Sequence, residues 1–257
     1  MIDAERRAAL ELVAAEVRAC RRCRLNEGRT QAVPGEGHPA TEVVFVGEGP
    51  GFNEDRQGRP FVGRAGDLLV DLLGSIGWRR EDVFITNIVK CRPPDNRDPA
   101  PDEIGACLPF LRRQLEILDP ALVVTLGRHS MARFMPGTAI SRAHGTVRPA
   151  DPAGGAPNAL VLAMYHPAAA LRAPALEEVC RADVRLIPRA LEEARARRAA
   201  DPVDASRAVS DGPSGPPPSH AGPQPSPAGP PEPANDPGPV PVPPAADEPG
   251  ADQLTLF

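Results

Sequence analysis

The chain has 257 residues and a formal net charge of −5, but that charge belongs to its end. Residues 201–257 hold 17 of the 34 prolines and eight acids against Arg207 alone, so residues 1–200 carry 28 bases and 26 acids, or +2. No apolar run reaches the roughly 18 residues of a membrane span, and Met1-Ile-Asp-Ala-Glu-Arg-Arg7 is not a signal-peptide core. The composition fits a soluble, cytoplasmic protein with a folded domain over 1–200 and an acidic Pro/Ala/Gly-rich linker over 201–252.

Ala8, Leu12, Ala15 and Val17, spaced among charges, predict a helix over 3–19 that ends at Cys20. Thr41–Gly47 is a β-branched run stopped by Gly47-Glu48-Gly49-Pro50-Gly51, which predicts a buried strand and a sharp turn. A helix over about 64–75 follows, with Leu68, Leu69, Leu72 and Leu73 on one face. The alternation then repeats: strand Val83–Val89, helix 102–118, strand Leu122–Leu126, a short helix near 128–134, strand Leu160–Tyr165, helix 175–198. Such alternation implies right-handed crossovers and a mostly parallel sheet covered on both faces. Ligands of such sheets bind beyond the carboxyl ends of the strands, so the segments after Val46, Ile88 and Tyr165 are expected to carry the chemistry.

Cys20-Arg-Arg-Cys23 closes the first helix, Cys91 follows a strand, Cys107 lies in the next helix, and Cys180 reads as a core thiol. A thioredoxin-like pair would need a βαβ setting that residues 1–40 do not offer. Stable disulfides do not suit a cytoplasmic chain. Four thiolates can hold zinc or an iron–sulfur cluster, and spacing alone does not choose.

Three blocks together resemble the family 4, iron–sulfur type, uracil-DNA glycosylases. They are Gly47-Glu-Gly-Pro-Gly51 with Glu54-Asp55 and Gly58-Arg-Pro-Phe61-Val-Gly63; Thr86-Asn87-Ile-Val-Lys-Cys91-Arg-Pro-Pro; and His166-Pro167-Ala168. The resemblance covers roughly residues 18–195. It implies a three-layer αβα sandwich with a four-stranded, mostly parallel sheet, a [4Fe–4S] cluster on Cys20, Cys23, Cys91 and Cys107, and removal of uracil from single- or double-stranded DNA by a monomeric enzyme.

On that reading Asn87 accepts from uracil N3–H and donates to O4, a pattern that cytosine reverses. Phe61 stacks on the flipped base, and Gly47, Glu48 and Gly49 complete the pocket. His166 donates to O2 as charge gathers there. Glu48 organises the attacking water and Glu54 crowds a C5 methyl. Leu171 fills the gap in the stack, while Arg172, Arg92 and Arg97 meet phosphates. Two rivals stand beside it. One is a relative that traps DNA covalently through a histidine, although Pro93–Pro101 contains none; the other is a non-catalytic iron–sulfur DNA-binding module. The chain ends Gln253-Leu254-Thr255-Leu256-Phe257, which resembles the bacterial sliding-clamp-binding peptide, with Gln253, Leu254, Leu256 and Phe257 as its contacts.

Overall fold

The computed structural model describes residues 2–200. The linker and terminal peptide expected over 201–257 lie outside the described residues. In chain order the elements are α1 (Asp3–Ala19), α2 (Leu25–Gly28), β1 (Glu36–Gly37), β2 (Val43–Gly47), α3 (Phe52–Gln57), α4 (Arg64–Gly74), β3 (Phe84–Asn87), α5 (Pro101–Leu118), β4 (Leu122–Leu126), α6 (Arg128–Phe134), α7 (Ile140–Ala143), β5 (Val147–Pro149), β6 (Leu160–Met164), α8 (Pro167–Ala170), α9 (Pro174–Val184) and α10 (Ile187–Ala200).

The sheet has six strands in the order β1-β3-β2-β4-β6-β5, not the four expected. Its central four are parallel, with Val44 opposite Phe84 on one side and Val123 on the other. The two additions are short antiparallel edges: β1 pairs with β3, and β5 with β6. Two or three residues with half-polar patterns give no alternation to read, so these edges were not legible.

Strand alternation splits the core into the two layers that a sandwich needs. Val44, Val46, Val123, Val161 and Ala163 join the cluster with Val13, Val17, Phe110, Leu111 and Met131 from α1, α5 and α6. Val43, Phe45, Ile85, Val124, Leu162 and Met164 join that with Leu69, Leu72, Cys180 and Ile187 from α4, α9 and α10. Cys180 is a fully buried core thiol, as expected. The expected helix over 175–198 is two helices, because Pro188 lacks the N–H that would bond back across Arg185 and Leu186. No helix of the described residues is long and apolar enough to cross a membrane.

Candidate active site and cysteine pocket

The carboxyl ends of the four parallel strands open into one cleft of about 510 Å³. Glu48, Gly49, Glu54, Phe61, Asn87, Arg97, His166 and Arg172 line it, so most of the expected site residues converge there. Gly47 lies beneath. A Cβ at Gly47 would sit 2.3 Å from Asn87 Oδ1 and 2.8 Å from Phe61 Cζ, so only glycine lets both side chains close over the strand end.

Asn87 ends β3 and is 1% exposed. Its Oδ1 is buried without a hydrogen-bond partner among the described residues. A buried carbonyl oxygen left unpaired is costly unless something else satisfies it. Phe61 holds a left-handed backbone conformation, φ 50°. That strain is fixed from both sides. Arg80 donates to Phe61 O (2.9 Å), and Glu54 Oε1 accepts from Val62 N (2.9 Å) and Gly63 N (3.1 Å). Gly66 lets the loop pass, since a Cβ there would lie 2.0 Å from Phe61 O. The Phe61 ring stacks on His166, centroids 5.5 Å apart and planes 25° apart.

His166 caps α8: its Nδ1 accepts from Ala168 N at 3.1 Å. A neutral imidazole whose Nδ1 accepts must carry its hydrogen on Nε2, which assigns the tautomer. Burial, reinforced by the nearby Arg172 cation and opposed by Glu54, pulls the ring's pKa down to about 4. The ring is therefore a neutral donor at physiological pH.

The two carboxylates differ. Glu54 is committed to the Val62 and Gly63 amides, whereas the Glu48 carboxylate makes no hydrogen bond among the described residues and its pKa is raised, chiefly by burial. His129 Nε2 lies 3.9 Å from Glu48 Oε2 and 3.3 Å from Asp98 Oδ2, and Arg128 pairs with Asp98. Sequence reasoning missed this group. Applying the strand-end rule to β4 as well would have flagged Gly127-Arg128-His129.

The residues expected to meet DNA are dispersed. Arg172 is exposed on the cleft wall. Arg97 lines the cleft, but its guanidinium donates to both oxygens of Glu103 (2.6 and 2.8 Å). Arg92 stands at the rim, donating to Asn96 Oδ1 at 2.8 Å. Leu171 follows α8 and packs partly against the core instead of lining the cleft.

On the opposite side of the second strand-end block, Cys20, Cys23, Cys91 and Cys107 line one pocket with Arg29 and Lys90. Arg29 donates to Cys91 Sγ (2.9 Å) and to the carbonyls of Arg18 and Cys20. Lys90, the only lysine, is fully buried and donates to Thr86 Oγ1 (2.5 Å), Asn87 O (2.8 Å) and Gln114 Oε1 (2.7 Å), while its backbone N donates to Cys107 Sγ (3.2 Å). One residue thus ties the cysteine pocket to the backbone of Asn87. Neither role was visible in the sequence, because a lysine or arginine carries no signal of burial.

Residues 34–186 match the family described as the uracil DNA glycosylase superfamily. The chain is 48% identical over 188 residues to a type-4 uracil-DNA glycosylase of Saccharolobus solfataricus, covering 71% of this chain and 86% of that protein. It is 47% identical to that of Archaeoglobus fulgidus (69% and 91%) and 48% identical to that of Thermotoga maritima (63% and 83%). The matched segment contains the whole cleft, and the chain belongs to the uracil DNA glycosylase superfamily and, within it, to the type-4 uracil-DNA glycosylases.

Proposed function

We infer that the protein hydrolyses the N-glycosidic bond of deoxyuridine flipped out of DNA, releasing uracil and leaving an abasic site. The observation that carries this is Asn87 Oδ1, a buried acceptor on the cleft with no partner of its own. Uracil N3–H satisfies it, and the Asn87 amide N–H then meets O4. Cytosine would set acceptor against acceptor and donor against donor. Phe61, locked by Arg80 and Glu54, offers a fixed ring face to the base. His166 Nε2–H donates to O2, where negative charge grows as the bond to C1′ lengthens, and a neutral donor there needs no proton transfer. Glu48 holds the water that attacks C1′; its raised basicity suits a group that takes up that water's proton. Glu54 forms the wall against a C5 methyl. Arg172 and Arg92 take phosphates. Lys90, the only lysine, is buried and engaged, so no lysine is available for Schiff-base strand cleavage.

Gly47→Ala tests the pocket. The added methyl displaces Asn87 and Phe61 together, and uracil release is expected to fall about 10²-fold. Unchanged kinetics on a uracil-containing oligonucleotide would remove both residues from recognition.

The cysteine pocket fits a [4Fe–4S] cluster held by Cys20, Cys23, Cys91 and Cys107. All four thiols face one pocket, yet among the described residues no three of them lie within 4.8 Å of one another. Tetrahedral zinc, with Zn–S near 2.3 Å, would draw sulfurs to about 3.8 Å, closer together than these thiols stand. When bound, the cluster cross-links the α1 end to β3 and α5. Purified protein is expected to carry about four irons per chain, and Cys107→Ser to lose iron and melt lower. Zinc as sole metal after anaerobic purification contradicts the assignment.

The terminal Gln253-Leu254-Thr255-Leu256-Phe257 is proposed as a peptide for the bacterial sliding clamp, on the linker over 201–252. Deleting residues 253–257 is expected to abolish clamp binding and leave uracil release from short oligonucleotides unchanged. Equal clamp affinity of the truncated chain refutes it.

A further inference from the structure

Phe52 is 52% exposed, the one aromatic among the large apolar side chains left exposed on the described surface; the others are Ile2, Leu12 and Val70. It opens α3 directly after Gly51, a residue of the cleft wall. Two guanidiniums attend its ring: Arg92 Cζ at 5.2 Å from the centroid and Arg56 Cζ at 5.6 Å. Arg56 is four residues along the same helix, and one such pair would be an ordinary surface contact. Arg92 comes from another segment, beside the cleft residue Pro93.

Charge separates these two arginines, like Arg172 on the cleft wall, from the paired arginines beside them. Arg97 and Arg128, which line the cleft, are paired with Glu103 and Asp98. Neither Arg56 nor Arg92 has a carboxylate partner among the described residues; the Arg92 guanidinium donates to the neutral amide of Asn96. An exposed ring and two uncompensated cations at the rim of a nucleotide-sized cleft are the elements of a stacking platform. An aromatic face with arginine planes takes any unpaired base, while the free cationic edges take phosphates.

We propose that Phe52, Arg56 and Arg92 form a platform for the unpaired nucleobase next to the flipped uridine in single-stranded DNA. This rests on the glycosylase reading of the cleft and adds a preference of substrate form to it. The base layers onto the Phe52–guanidinium stack, and Arg56 and Arg92 meet the phosphates on either side of it. In a duplex the neighbouring base is already stacked and paired, so the gain is confined to single strands.

The test titrates the full chain with single-stranded oligonucleotides holding a tetrahydrofuran abasic analogue, with 2-aminopurine on its 5′ side in one and its 3′ side in the other. Wild-type protein is expected to quench 2-aminopurine at one of the two positions, and Phe52→Trp to do the same. Phe52→Leu and Phe52→Ala lose the quench and bind at least about fivefold more weakly, with duplex binding little changed. Because Phe52 is exposed, these variants keep the fold. Absence of quenching in the wild type, or Phe52→Ala retaining quench and affinity, overturns the platform, as does an equal loss on duplex DNA. Uracil release from the matching uracil strand separates the two levels. If the wild type releases uracil and Phe52→Ala is unaltered in binding, the platform alone fails; if the wild type releases none, the glycosylase reading fails with it.

Discussion

Replacing His166 with alanine is expected to lower kcat for uracil release by about 10²–10³-fold with little change in KM, the loss typical of one donor aimed at developing charge. The argument rests on the tautomer. Nδ1 is occupied by Ala168 N, so the hydrogen that Nε2 carries is available to O2 at any pH where the ring is neutral. With the pKa drawn down to about 4, that range extends well below the ordinary histidine midpoint. No rate change near pH 6.5 should therefore trace to this ring. Stability is expected to show it instead. The unfolded chain binds the proton from about pH 6.5, the folded chain only near 4, so stability falls as pH drops through that window and is regained as pH rises. An NMR titration of the ring reads the pKa directly. A midpoint near 6.5 in the folded protein would contradict the lowered pKa, and an unchanged kcat in His166→Ala would remove the residue from catalysis.

Asn87→Asp is expected to cost more, about 10⁴-fold in kcat/KM, since the pocket then lacks the donor to O4 and buries an acid beside it. The fold is expected to survive. Asn87 side-chain atoms support no structural bond among the described residues; its backbone carbonyl, not its amide, receives Lys90 Nζ. Circular dichroism and iron content like those of the wild type, alongside lost excision, would separate recognition from folding. Undiminished excision would place Asn87 outside the pocket.

The central sheet was legible because its strands are continuous apolar runs punctuated by Gly and Pro. Leu122–Leu126 emerges with the expected ends, and Asp3–Ala19 likewise. Val83–Val89 shortened to Phe84–Asn87, where the chain turns toward the buried Lys90. Residues of the cleft were legible through the motifs around Gly47, Asn87 and His166. Their roles were less so. That Glu54 holds the Phe61 loop while Glu48 stands free is decided by which backbone amides come within reach, a tertiary fact. His129 and Asp98 meet at the mouth from different segments of the chain, and nothing local announces it. That Arg97, expected at a phosphate, also pairs with Glu103 is likewise a tertiary fact.

The most direct measurement is uracil release by the full chain from single- and double-stranded oligonucleotides carrying one deoxyuridine, with products resolved before and after alkali. Free uracil, an intact strand before alkali and cleavage at the abasic site afterwards are predicted. No free uracil, or a protein–DNA adduct in its place, would contradict the account.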